Sequence, residues 1–183
     1  FDYFLRAQNI ASKSLNPDHP LNARIYRNIG LYYTLFNKRK EALNNYYKSL
    51  LVFSSDPMAN DPYSIPELID DKLGLDVISS LKKIGQTFYD IYYYENGGQK
   101  ELLATLDYFD KALRTIDELR YNLTDEESKL FLSANEKETY TKSIEIANIL
   151  YDQTRSAEYR ERSFEFAERS KAVNLLSSIR NID

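Results

Sequence analysis

The residue types that could carry chemistry are few. Cysteine is absent and His19 is the one histidine. A thiol nucleophile, a disulfide framework and a cysteine-based zinc site are therefore excluded. A serine–histidine or cysteine–histidine centre would have to use His19, which sits between Asp18 and Pro20 in a turn. Paired carboxylates occur at Asp70–Asp71, Glu126–Glu127 and Glu165–Glu168. General acid–base work needs such a pair in a desolvated cleft. These lie in charge-rich amphipathic segments, which favours solvated faces. Glu158–Arg162 and Glu165–Arg169 have the i, i+4 spacing of surface helix pairs, each worth a few tenths of a kcal/mol. The loop acids Asp18, Asp56 and Asp61 lack calcium-loop spacing. Asn122-Leu123-Thr124 is a formal glycosylation sequon, but Thr124 is better explained as a helix cap. The expectation is a non-catalytic chain without metal or cofactor.

The elements that must position these residues are helical. The 183 residues contain five Gly and five Pro, and the last of them is Gly98. The 85 residues that follow contain neither, which excludes an all-β fold with its frequent turns and a glycine-rich phosphate loop in that half. Charge is −4 with both signs interspersed, which argues against a nucleic-acid surface. No window approaches the apolar length of a membrane span. The chain begins at Phe1 with no signal peptide and reads as a piece of something longer, with the cytoplasm the favoured compartment.

Apolar residues recur at i, i+3 and i+4 over 1–14 (Phe1, Phe4, Leu5, Ile10, then Leu15), 21–36, 39–54, 99–120, 125–151 and 157–181. The last of these puts Phe164, Ala167, Leu175, Leu176 and Ile179 on one face. The pattern from Pro66 to about Tyr94 places Pro66 at a helix start, with Gly74 as a possible split. Thr124 and Glu127 have capping-box spacing. Seven or eight helices joined by short turns predict an all-α array of hairpins. Tyr92, Tyr93 and Tyr94 point about 100° apart on a helix, so at least one is exposed or covers the turn at 95–98.

One internal repeat stands out. Tyr26, Ile29, Gly30 and Tyr33 are followed by Ala42, Tyr46 and Ser49. This spacing resembles the tetratricopeptide repeat, in which a glycine on the first helix and a small residue on the second allow close approach. A second copy uses Leu81, Ile84, Gly85 and Phe88, then Thr105, Phe109 and Ala112, with Gly97–Gly98 in an insertion. A third, weaker copy uses Ile146, Ala147 and Leu150, then Ser163, Ala167 and Ser170. Residues 1–183 then form one α-solenoid, an α-α superhelix of about three hairpins plus flanking helices. Within it, 1–15 is the second helix of a truncated repeat and 21–56 the best-matched repeat. Residues 66–120 are an extended repeat, and 124–183 a degenerate repeat with a C-terminal helix. Residues 16–33 are similar to the kinesin-light-chain type of repeat and its Pro-Asp-His-Pro connector, which gives His19 a structural role in the turn.

The C-terminal helix resembles the one preceding the caspase-like CHAT peptidase domain of bacterial tetratricopeptide proteins. The residues that carry this resemblance are Ala167, Glu168, Arg169, Ser170, Lys171, Ala172, Leu175 and Leu176. Bacterial repeat proteins ending in a kinase or DNA-binding module carry similar helices.

In the repeat family, the first helix of each hairpin lines a concave groove. The resemblance places Arg24, Arg27, Leu31 and Thr34, then Lys82, Gln86 and Tyr89, then Ile144, Asn148 and Tyr151 along it. Arg24, Arg27 and Lys82 imply a protein or peptide partner that is acidic or has a free C-terminus. The implied function is a binding scaffold that regulates an attached effector. The alternative is a structural or self-associating segment packed on its own effector. A homodimer would reflect the exposed ends of a truncated array.

Overall fold

The computed structural model describes the backbone of residues 2–70, 74–122 and 126–180, with side chains described outside 122–135 and 172–180. Among the described residues the chain is all-α. Its helices are α1 (Asp2–Ser14), α2 (Pro20–Leu35), α3 (Arg39–Leu51), α4 (Leu75–Tyr94), α5 (Gln99–Asn122), α6 (Glu126–Thr154) and α7 (Ala157–Arg180). The Thr124–Glu127 capping box and the sequon threonine lie outside the described residues, as do the side chains of Ala172, Leu175, Leu176 and Ile179.

Two compact units form, residues 1–108 and 109–183, with the division inside α5. In the first, α1 packs on α2, α2 on α3, and α3 on α4. The turn before α2 shows why this order holds. His19 is the N-cap of α2, its Nδ1 accepting from the Leu21 N–H at 3.1 Å, and Pro20 opens the helix. Asn22 closes the turn by donating to the carbonyls of Asn16 and Pro17 at 2.8 and 3.2 Å. The α2–α3 turn is as tight. Asn37 is left-handed (φ 56°), and the N–H groups of Asn37 and Lys38 donate to Thr34 and Tyr33. These bonds satisfy carbonyls that the end of α2 leaves open.

Gly30 permits the hairpin's close approach. A Cβ there would stand 2.6 Å from Cε1 of Tyr46 on α3. The Tyr46 hydroxyl shares a 3.1 Å hydrogen bond with Thr34, which donates back to the Gly30 carbonyl at 3.1 Å. Ser49 on α3 and Ser80 on α4, both fully buried, share a 2.7 Å bond. The second copy's Leu81, Ile84, Phe88, Thr105, Phe109 and Ala112 are all buried, as is Gly85. In the second unit α6 packs on α7, and Ile146, Ala147 and Leu150 are buried.

Several expectations are corrected. Pro66 does not open a helix. Residues 66–69 are not helical, and Leu68 is bridged antiparallel to Ser54. The Ser55 N–H donates to Glu67 and the Ile69 N–H to Phe53, at 3.0 and 2.9 Å. The chain leaving α3 offers backbone groups without helical partners, and residues 67 and 69 pair with them. That pairing also ends α3 at Leu51 rather than residue 54. On α1, Leu5 and Ile10 are exposed and Ala11 is the buried contact. On α7, Phe164 is exposed and Phe166 is buried in its place, because the inward face runs through Tyr159, Phe166 and Arg169.

Candidate functional site

The residues expected to line the groove lie on α2 and α4. Arg24 and Arg27, at the start of α2, both reach Asp76 in the first turn of α4. Arg24 contacts the Asp76 carboxylate at 3.0 Å, and Arg27 at 2.8 Å. Arg27 also donates to the Asp76 carbonyl at 3.3 Å. At the other end, Arg39 follows α2 and Glu95 follows α4, and their side chains meet at 3.2 Å. Start joins start and end joins end, so α2 and α4 run parallel, with α3 packed on both.

Asp76 changes the electrostatics of this face. Two arginines shared by one carboxylate leave a net charge of +1, concentrated on Arg24, whose side chain is 60% exposed. Arg27 and Asp76 are mostly covered. Further along, Leu31 and Leu35 on α2 are exposed. On α4, Lys82 and Gln86 are half-buried, and the Gln86 amide donates to Asp90 at 2.7 Å. The Tyr89 and Tyr93 rings stack at 6.2 Å, and Tyr93 meets Tyr94 edge-on. Tyr93 and Tyr94 are exposed while Tyr92 is half-buried, so the tyrosine triplet projects aromatic surface. Arg39 lies over the Tyr94 ring at 4.9 Å. This face is thus a clamped ionic cluster at one end and an aliphatic–aromatic surface along α2 and α4.

The third-copy positions lie in the second unit. Asn148 accepts a bond from Ser163 on α7 at 2.8 Å, and Tyr151 lies beneath Arg155. Ile144 is half-buried.

The second unit also holds a charge cluster that local spacing does not reveal. Arg169 has Glu165 at 3.9 Å, but its shorter partners are Asp117 at 2.6 Å and Asp110 at 3.2 Å on α5. Arg120 bridges Asp117 and the fully buried Glu136. Burial pushes the Glu136 carboxyl above its ordinary value despite Arg120. Nearby Tyr140, beneath Arg169, is pushed by burial to about 12. Every carboxylate in this cluster has a guanidinium partner, which describes a structural ion network.

Glu165 and Glu168, paired in the sequence, also have cationic partners. Glu165 faces Arg114 at 3.8 Å and Glu168 pairs with Lys171 at 2.7 Å. Asp70 is exposed. Asp71 and the side chains of Glu126 and Glu127 lie outside the described residues. Among the described residues no group of three or more His, Cys, Asp or Glu is placed to hold a metal. No described helix is long and apolar enough to cross a membrane.

A cavity of about 980 Å³ opens on another face of the first unit, between α3 and the loop of residues 55–64. Tyr26, the large residue that begins the repeat motif, lines it, as do Tyr47 and Tyr63. No residue in the expected groove lines it. The spacing of the repeat gives no sign of this cavity, because it depends on where the loop folds back.

No curated protein and no solved structure is found to match the chain. Residues 1–53, which carry α1, α2 and α3, match the tetratricopeptide repeat family, and this is the family the chain resembles.

Proposed function

We propose that the chain is a non-catalytic scaffold that binds a protein or peptide along the face shared by α2 and α4. The observation that carries this reading is the parallel pairing of these helices with Leu31, Leu35, Tyr93 and Tyr94 left exposed along them. Aromatic and aliphatic side chains on rigid helices supply contact area at low entropic cost. Arg24 adds an exposed cation beside them, which suits a carboxylate or a free C-terminus on the ligand. Tetratricopeptide repeats generally mediate protein–protein interaction, which agrees with this use of the face.

The experiment is a peptide-library screen against immobilised protein, with hits re-measured on Leu35→Asp/Tyr93→Asp and on Arg24→Glu. Loss of binding by the double variant supports the face. Retention of every hit refutes it. Unchanged affinity of acidic hits for Arg24→Glu refutes the carboxylate preference alone.

In this reading α7 links the scaffold to an effector, and the resemblance of residues 167–176 to the helix before CHAT peptidase domains makes such a domain the candidate. A self-associating segment is the second reading, favoured by the exposed Tyr3, Leu5 and Ile10 of α1. Sedimentation equilibrium of Leu5→Asp/Ile10→Asp against the unaltered chain decides it: a monomer in both cases refutes self-association.

A further inference from the structure

The cavity between α3 and residues 55–64 lies outside the proposed groove, and its walls are set in place by the fold. The Tyr108 hydroxyl donates to the Pro62 carbonyl at 2.9 Å, and the Tyr47 hydroxyl to Ser64 at 3.3 Å. The Tyr63 hydroxyl donates to Glu101 at 2.6 Å, with Lys100 over its ring. Asp56 and Asp61 each accept from the backbone N–H two residues on, at 3.1 and 3.0 Å. The loop is therefore organised before any ligand arrives, which lowers the entropic cost of binding.

Its charges are unequal in availability. Among the lining acids, Glu95 is held by Arg39. Glu101 is held by Tyr63 and by the Gly98 N–H at 2.7 Å. Burial pushes the Glu101 carboxyl up, but these two donors, with its own backbone N–H and the nearby Lys100, together leave it below its ordinary value. Asp18 is also engaged within the chain. The cations are not. Lys40 and Lys48, with Asn44 between them, form an exposed stripe on α3 along the cavity, and the side chain of none of the three bonds to another described residue. Beside this stripe lie apolar Leu43, Tyr47 and Leu51, with Met58 opposite, 85% exposed. An 85% exposed methionine on an anchored loop is an adaptable contact with nothing covering it.

We propose that this cavity binds an extended peptide segment with an apolar residue flanked by two carboxylates. Lys40 and Lys48 are eight residues apart on a helix, about 12 Å. An extended chain rises about 3.3 Å per residue, so the matching carboxylates sit at i and i+4 with the apolar residue at i+2. The apolar side chain rests between α3 and Met58, and each carboxylate meets one ammonium group. The proposal deepens the scaffold reading by giving it a second surface, and the two readings fail separately.

The probe is a fluorescein-labelled peptide Gly-Ser-Glu-Thr-Phe-Thr-Glu-Ser-Gly, followed by fluorescence polarisation. Its control has the same composition with the two glutamates adjacent. Saturable binding by the unaltered chain is expected. It should weaken about tenfold or more in Lys40→Glu/Lys48→Glu, and similarly in Met58→Glu, while Arg27→Glu leaves it unchanged. The adjacent-glutamate control should bind about fivefold more weakly. Absence of saturable binding overturns the proposal, as does equal affinity in the lysine variant or equal affinity of the two peptides. Loss of binding in Arg27→Glu would also overturn it, by moving the peptide to the α2–α4 face. The Lys40, Lys48 and Met58 side chains are exposed and Arg27 is mostly covered, and far-ultraviolet circular dichroism confirms that each variant retains its helices.

Discussion

Replacing Gly30 with alanine tests the packing of the α2–α3 hairpin directly. In a helix interior this change ordinarily stabilises, by about 1 kcal/mol, because alanine is the better helix former. Here the new methyl would lie 2.6 and 2.7 Å from Cε1 and Cδ1 of Tyr46, inside any normal contact. The ring cannot simply swing away, because Tyr46 is 1% exposed and its hydroxyl is bonded to Thr34. Either the helices separate or that bond breaks. Overpacking of this kind costs about 1–3 kcal/mol, and the lost hydrogen bond about 1. After the helix-propensity gain, a net loss of about 1–3 kcal/mol is expected. With a urea m-value of about 2 kcal/mol/M, the midpoint should fall by roughly 0.5–1.5 M. The assay is urea unfolding followed at 222 nm. On a Tyr46→Leu background the alanine should cost far less, giving a coupling energy of about 1 kcal/mol or more. An unchanged or raised midpoint for Gly30→Ala would refute the close-approach account, as would equal cost on both backgrounds.

Three further outcomes are expected. His19→Ala removes the N-cap of α2 and should cost about 1 kcal/mol in urea unfolding, with His19→Asn restoring most of it, since Asn also caps. Asp76→Asn should cost about 1–2 kcal/mol, mostly through Arg27, since the largely exposed Arg24 contributes little. The same variant should bind acidic peptides on the α2–α4 face more tightly, because it releases both guanidinium groups; isothermal titration calorimetry reads this. Glu136 concerns pH. Its folded-state pKa is raised, so its proton favours the folded form, and that contribution is lost as pH rises through and above the ordinary value of 4.5. Glu136→Gln carries no such titration. Its stability relative to the unaltered chain should therefore improve between pH 4 and pH 7, and a gap that stays constant would exclude a raised carboxyl.

Much of the fold was legible because its signals are local. Helix periodicity, the Asn16–Pro20 connector and the Gly30–Tyr46 spacing each reflect a preference that a few neighbouring residues enforce. Phe164 was misplaced because two phenylalanines two positions apart both fit a plausible stripe, and the partner helix selects between them. Pro66 was misread because a proline suits a helix start as well as an extended segment. The choice was made by unpaired backbone beyond α3, more than ten residues away.

The candidate site divides along the same line. By itself the sequence determined that the chain is helical, that a repeat hairpin is built around Gly30, and that cysteine chemistry is absent. It also named Arg24 and Arg27. Tertiary structure alone decided that both arginines meet Asp76, about fifty residues on, and that Arg169 turns from Glu165 toward Asp117 and Asp110. It alone opened the cavity beneath residues 55–64. Helical periodicity records which face a side chain takes, because the turn of the backbone repeats. It carries no record of which charge from a distant segment will stand opposite, and that distance sets whether a cation is spent within the fold or left for a ligand.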